Sequence, residues 1–228
     1  MPQLSKRLKL IASLVPNGAR VCDIGTDHGY LSIELIKSGV AASVIATDIN
    51  EKPLNRAKSN AEKSGFQIDL RLCDGLVGIS SSEVDTVIIA GMGGEVISGI
   101  IERGEKVAKS VSLLLLQPTT SPEALREFLF KNGYEILREE PLLENEKLYS
   151  VMVCRYSGIV ADYKPYSCFI GKLSPELQEG RLYIEKQYKR CLSCAKALKS
   201  IPQKQKEYNY YNSVAIELNE ILSTTGEE

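Results

Sequence analysis

The segment 21-VCDIGTDHGYLSIEL-35 places Asp23, Asp27 and His28, groups able to carry charge or move a proton, inside what otherwise reads as a buried strand, a glycine turn and a helix start. A dinucleotide fold holds glycines at this point so that the backbone can approach a diphosphate on a helix N-terminus. Here Gly25, Thr26, Asp27, His28 and Gly29 keep the first turn but put a carboxylate where the middle glycine would stand. Two carboxylates repel a diphosphate, and they are costly to bury unpaired. They suit a ligand that carries positive charge.

Asp48 closes the next apolar run, 25 residues after Asp23, where an acid can accept hydrogen bonds from both ribose hydroxyls, and Ile49 follows it. The third run ends in 73-CDGL, with Asp74 placed to accept from an adenine amine and Leu76 to flank the ring. Acids at three successive strand ends fit one adenosyl amino acid with an ammonium and a sulfonium group, so S-adenosyl-L-methionine is the expected cofactor. The plainer reading of Asp48 and Asp74 is that they cap the following turns. In 90-AGMGGEVI, Gly91 and Gly93 allow a tight turn and close backbone approach, and Met92 projects where it can pack on a planar base or, alternatively, into the core. Gln117 offers a donor and an acceptor at the same rim. His28, the single histidine, is a candidate for hydrogen bonding or proton transfer. No Ser/His/Asp or Cys/His set has nucleophilic spacing. Cys191 and Cys194 form a lone CxxC, which reads as helix packing, and no metal site is expected.

Positioning these groups requires strands over 19–24, 43–48, 67–74, 84–91 and 111–117, alternating with helices over 28–39, 51–65, 94–104 and 121–133. The first three helices end in glycine, which predicts left-handed C-caps; the fourth begins with Ser121 as N-cap and Pro122 in the first turn. Strands over 134–140 and 148–155 are joined without room for a crossover helix and should form an antiparallel hairpin. The expected fold is α/β: the Rossmann-like, seven-stranded sheet with an antiparallel last strand used by class I methyltransferases.

Beyond residue 157 the pattern turns helical. Leu177, Ile184, Tyr188, Cys191, Ala195 and Leu198, then Tyr208, Tyr211, Ala215, Leu218 and Leu222, predict two long helices joined near 200–207 as an antiparallel coiled-coil hairpin. Residues 1–157 and 158–228 are therefore expected to be two domains. The net charge of -1 excludes a polycation, yet 181–207 holds eight Lys or Arg against two Glu. Six cysteines, several within apolar runs, suggest a reducing compartment. No apolar run approaches the roughly 20 residues that span a membrane, and no signal core is seen, so a cytoplasmic protein is expected.

Taken together, 4-LSKRLKLIASLVPNGARVCDIGTDHGYL, ATDIN, LRLCDG, IIAGMGGE, LLLQPTT and ENEKLYSVMVC resemble the bacterial tRNA adenine-22 N1-methyltransferases over essentially all of the sequence. DIGTDHGYL and AGMGG are specific in combination. The resemblance implies methylation of N1 of adenine 22 in the D arm of tRNA. It implies cofactor contacts around Asp23, Gly25, Thr26, Asp27, His28, Asp48, Asp74 and Gly75, with Gly91, Met92 and Gly93 between methyl donor and target base. Two positions depart from the family pattern: Ser32 stands in place of Pro and Thr119 in place of Met. Asp27 is the candidate for electrostatic stabilisation and His28 for orientation. Arg7, Gly93, Gln117, Lys189 and Arg190 are candidate substrate contacts, the last two within a basic run that also holds Lys186, Lys196, Lys199, Lys204 and Lys206. That run is either a phosphate-binding surface or a solvated helix face. Rival readings are the same cofactor site acting on another tRNA or rRNA adenine, and a non-catalytic RNA-binding protein; a monomer is slightly favoured.

Overall fold

The computed structural model describes residues 4–224, so the outermost ends of the two expected domains lie outside the described residues. One seven-stranded sheet runs through β1 (Ala19–Ile24), β2 (Ala41–Asp48), β3 (Asp69–Leu72), β4 (Thr86–Gly93), β5 (Leu113–Thr120), β6 (Tyr134–Glu144) and β7 (Lys147–Tyr156). Its spatial order is β3-β2-β1-β4-β5-β7-β6. The first five strands pair in parallel; β7 runs antiparallel to both β5 and β6. The strand order reverses between β1 and β4, which opens the crevice where α/β sheets bind ligands.

The strands read as unbroken apolar runs because both faces are buried. Val87, Ile89, Leu114 and Leu116 meet α4 (Gly94–Arg103) and α6 (Pro122–Lys131) on one face. Their neighbours Ile88 and Leu115 join Ile11 of α1 (Lys6–Leu14) and Leu31 and Leu35 of α2 (Tyr30–Lys37) on the other.

Two helix ends depart from expectation. Ser121 adopts a left-handed conformation and its side chain makes no cap hydrogen bond. Its carbonyl instead accepts from Ala124 N at 3.2 Å, and it lies so close to Gly94 that a Cβ there would stand 2.1 Å from the Ser121 oxygen. Gly104 closes α4 at φ -100°, outside the left-handed region. Glycine is needed there because a Cβ would come within 2.4 Å of the Leu76 Cβ.

The C-terminal helices are α8 (Gln178–Leu198) and α9 (Gln205–Thr224), with a short 3-10 turn, Pro202–Lys204, before α9. Their core includes Ile184, Cys191, Val214, Ala215, Leu218 and Leu222. It also takes Cys168, Phe169 and Ile170 from α7 (Pro165–Ile170), a short helix that precedes the two expected ones. The seam is therefore shared by three helices rather than two. Leu177 is 53 % exposed, at the N-cap of α8, whereas Tyr183 and Gln187, outside the expected seam, are buried. All six cysteines are free thiols, and burial pushes the Cys191 thiol up to about 12, as a packing role requires. Among the described residues, no His/Cys/Asp/Glu group is arranged to hold a metal, and no helix is long and apolar enough to cross a membrane.

One ion pair connects the sheet to these helices. The side chains of Arg126 on α6 and Glu139 on β6 are both fully buried. Arg126 donates to Glu139 through Nη2 at 2.5 Å and Nε at 3.2 Å, and through Nη1 to the Cys168 and Phe169 carbonyls at 3.0 and 2.8 Å. Nη2 also reaches Ser150 Oγ on β7 and Tyr183 OH on α8, each at 3.3 Å. Gly171, at φ +56°, lets the chain pass: a Cβ there would stand 2.0 Å from Glu139 Oε2. Replacing Arg126 by Met leaves a buried carboxylate without its partner, and the expected loss is about 3–5 kcal/mol of unfolding free energy in urea. Arg126→Met with Glu139→Leu should recover part of it, whereas a loss of under about 1 kcal/mol in the single variant would contradict this role for the pair.

Candidate active site

The loop after β1 is bent back onto β2: Gly25 N and Thr26 N both donate to the Thr47 carbonyl, at 2.8 and 3.0 Å. Three of its residues, Gly25, Asp27 and Gly29, have positive φ. For Asp27 that conformation is uncommon, and the loop holds it while leaving the carboxylate 64 % exposed. His28 Nε2 lies 3.6 Å from Asp27 Oδ2, and its ring stacks on Tyr30 at 5.3 Å with a 7° interplanar angle. Asn60 Nδ2, from α3 (Glu51–Ser64), fixes the backbone by donating to the His28 carbonyl at 2.9 Å.

Asp23 lies buried beneath the loop. It is 5 % exposed, and its Oδ2 accepts from Ser32 Oγ at 2.6 Å and Thr26 Oγ1 at 3.0 Å. Burial raises its pKa, and the two hydroxyl donors oppose that rise. Asp23 thus braces the loop from beneath. Ser32, fully buried, enters the sequence analysis as a departure from the family pattern and not as a site residue; its signal is a hydroxyl one turn into the helix behind Asp23.

At the end of β2, half-buried Asp48 accepts from Asn50 N at 2.9 Å through Oδ1, and Ile49 beside it is 65 % exposed. A carboxylate next to an open aliphatic surface is an acceptor-and-platform set that fits a nucleoside. Asp74 pairs with Arg103 Nη2 at 2.9 Å, both about half exposed. Leu76 requires correction: it is 2 % exposed, packed in the core against Gly104, and cannot flank a ring in the cleft. Gly75, at φ +61°, makes that inward turn against Ile100, where a Cβ would come within 2.7 Å of its side chain.

The glycine turn expected after β4 is instead a bulged continuation of the strand, with Met92 paired to Pro118 and Gly93 to Thr120. Gly91 has φ +81° and open space around its Cα. The Met92 methyl occupies the place a Cβ on Gly25 would fill, 2.2 Å from it, so glycine at 25 lets the β1 loop and β4 touch. Thr119, the second departure from the family pattern, donates through Oγ1 to the Met92 carbonyl at 3.0 Å.

Three expected substrate contacts are engaged within the fold. Gln117 is 1 % exposed; its Oε1 accepts from Gly91 N at 3.2 Å and Arg7 Nη1 at 2.9 Å, and its Nε2 donates to the Pro118 carbonyl at 2.8 Å. Arg7 also donates to Glu144 at 2.8 and 3.1 Å and lies over the Tyr149 ring. Burial would raise the Glu144 pKa, but these hydrogen bonds outweigh it and hold the carboxyl below its usual range. Arg190 pairs with Glu123 at 2.5 Å, tying α8 to α6, while Lys189 is exposed. A hollow of about 1080 Å³ lined by Phe130, Tyr134, Tyr156 and Tyr163 lies at the amino end of β6, away from every strand-end acid.

Burial of Asp23 gives a pH signature. Its raised pKa means that, above the unfolded value of about 3.9, the folded chain holds a proton that the unfolded chain has lost. Stability from this group therefore falls as pH rises toward the folded value, by up to about 1.4 kcal/mol per pH unit. Urea midpoints of wild type minus Asp23→Asn should decline above about pH 4; parallel curves would contradict the assignment.

Residues 4–152 match the Methyltransf_18 family, described as a methyltransferase domain. The tRNA (adenine(22)-N(1))-methyltransferase of Bacillus subtilis is 39 % identical over 173 residues, covering 75 % of this chain and 73 % of that protein. The crystal structure of the B. subtilis m1A22 tRNA methyltransferase TrmK matches with a TM-score of 0.84 at 29 % identity, covering 96 % of this chain and 99 % of that one. TrmK from M. capricolum, solved with S-adenosyl-homocysteine, matches with a TM-score of 0.80 at 27 % identity, covering 96 % and 100 %. By its sequence identity to the B. subtilis enzyme and its shared fold through the C-terminal helices, this chain belongs to the family of tRNA (adenine(22)-N(1))-methyltransferases.

Proposed function

We propose that this chain transfers a methyl group from S-adenosyl-L-methionine to N1 of adenine 22 in tRNA. The observation that carries the reading is the close match to relatives named for this reaction, in a chain whose own β2 end presents Asp48 beside exposed Ile49. S-adenosyl-L-methionine supplies an electrophilic methyl group on a sulfonium centre. Asp48 accepts from the ribose hydroxyls, Ile49 covers one face of the adenine, and Asp74 accepts from its amine. Gly25 and Gly91 let backbone approach, and the Asp27 carboxylate adds the negative charge that a sulfonium and an ammonium favour.

Adenine N1 has an in-plane lone pair and is neutral at physiological pH, so it needs no base before attack. The methylated base is cationic and loses a proton from its exocyclic nitrogen afterwards. Catalysis then rests on alignment and exclusion of water, effects worth roughly 7–11 kcal/mol in favourable cases. Met92, packed between Gly25 and Thr119, sets the floor on which the target base lies. Asp27 stabilises the charge that develops on the base, and His28 orients.

Position 22 is held inside folded tRNA, and exposing it costs a few kcal/mol. Lysines offset that cost through phosphate contacts. Lys186, Lys189, Lys196, Lys199 and Lys206 are exposed, whereas Lys204 and Arg190 are paired with Glu207 and Glu123. This basic face of α8 is the tRNA-binding part of the C-terminal unit, and a tRNA substrate places the enzyme in the cytoplasm.

Unmodified tRNA incubated with methyl-labelled S-adenosyl-L-methionine should yield 1-methyladenosine at position 22, and tRNA with that adenine replaced should yield none. Product elsewhere, or none at all, would overturn the reading. Asp48→Ala should weaken S-adenosyl-homocysteine binding by about 10- to 100-fold in calorimetry, the worth of hydrogen bonds to a charged group; unchanged affinity would remove Asp48 from the site.

A further inference from the structure

A second polar recess adjoins the rim on the side of the C-terminal helices. Thr119, Ser150, Tyr183, Lys186, Gln187 and Arg190 line a cavity of about 190 Å³. Thr119 also bonds the Met92 carbonyl at 3.0 Å, so the recess and the methyl-transfer rim share a wall. Arg126 holds Ser150 and Tyr183 in place through Nη2, at 3.3 Å to each.

Gln187 is 5 % exposed, and its Oε1 is buried without a hydrogen-bond partner. Among the described residues, one other buried side-chain atom shares that state: Oε2 of Glu123, which follows Pro122 on the same wall. Glu123 already has its charge met by Arg190 at 2.5 Å. Gln187 has no such compensation. A buried amide oxygen lacking a donor destabilises a fold; Gln187 lines the recess, so a turn of its side chain would bring that oxygen to a donor entering from outside. The cavity holds roughly six waters by liquid volume, enough for one nucleobase and too little for a duplex. Lys186 beside it is exposed and makes no ion pair among the described residues, leaving its charge for a phosphate.

We propose that this recess is a nucleotide subsite. It takes one RNA nucleotide neighbouring the target adenine: the Gln187 side chain turns its Oε1 into the recess to accept from the base N–H group, while Lys186 meets the phosphate. The assignment rests on the tRNA-methylating reading above. Unpaired nucleotides are read in this way, by hydrogen bonds to base edges once the base is splayed from its stack.

Gln187→Leu and Lys186→Ala, made in the full chain, test it with unmodified tRNA, labelled methyl transfer, S-adenosyl-homocysteine calorimetry and urea unfolding. Gln187→Leu should raise KM for tRNA about 10-fold. Its affinity for S-adenosyl-homocysteine should be unchanged and its urea midpoint equal to or above that of wild type, because the variant no longer buries an unpaired amide. Lys186→Ala should reduce the salt slope of tRNA binding by about one phosphate contact. A KM for Gln187→Leu within about twofold of wild type overturns the subsite. So does a lower urea midpoint in that variant, since the amide would then serve the fold. If wild type itself transfers no methyl to tRNA, the reaction has failed; if it does and both variants match it, the subsite alone has failed.

Discussion

The buried pair of Arg126 and Glu139 sets where the C-terminal helices sit against the sheet. An ion pair excluded from water contributes little net stability, because desolvation offsets most of the attraction. Its effect is geometric. Arg126 uses its fork of donors on a carboxylate of β6, a hydroxyl of β7, two carbonyls of α7 and a phenol of α8, so these elements must meet in one arrangement. Glu139 adds an acceptor for Lys172 N at 3.3 Å, which pins the chain leaving α7. Any other docking angle would strand a buried charge. The basic face of α8 is thereby held beside the carboxyl end of β5, the edge of the proposed catalytic rim.

The rim itself is stiffened from below by hydrogen bonds within the fold. Asp23 gathers Ser32 and Thr26, and Gln117 gathers Arg7 and the Gly91 amide. Both departures from the family pattern take part in this bracing. Ser32 supplies one of the two side-chain donors on Asp23, and Thr119 bonds the Met92 carbonyl where a methionine could not. A site whose chemistry is alignment gains from such preorganisation, since a displaced floor would misdirect the base toward the methyl group.

The sheet was legible in the sequence because strands buried on both faces and helices buried on one leave different spacings, and β4 and β5 carry that signal strongly. Asp48 and Ile49 could be placed in the fold because they end the strand that neighbours the switch point. For Arg7, Gln117 and Arg190, what the sequence does not show is a partner distant in the chain. Arg7 looks like a free cation until Glu144, 137 residues away, is brought against it. Gln117 looks like an open amide until Arg7 and Gly91 enclose it, and Arg190 until Glu123 does. Leu76 follows an acid at a strand end, yet the Gly75 turn and the room left by Gly104 draw it inward. Gln187 was passed over because polar residues in a helical seam read as interruptions. Helix α7 was missed because Cys168, Phe169 and Ile170 occupy too few turns to show a period.

The central claim is that the carboxyl ends of β1, β2 and β4 form the methyl-donor site. A crystal structure of this chain grown with S-adenosyl-homocysteine tests it most directly. The ribose hydroxyls should lie within hydrogen-bond distance of Asp48, with the adenine against Ile49. Adenosine density in the hollow between Phe130, Tyr134, Tyr156 and Tyr163, with the β2 end left bare, would contradict it.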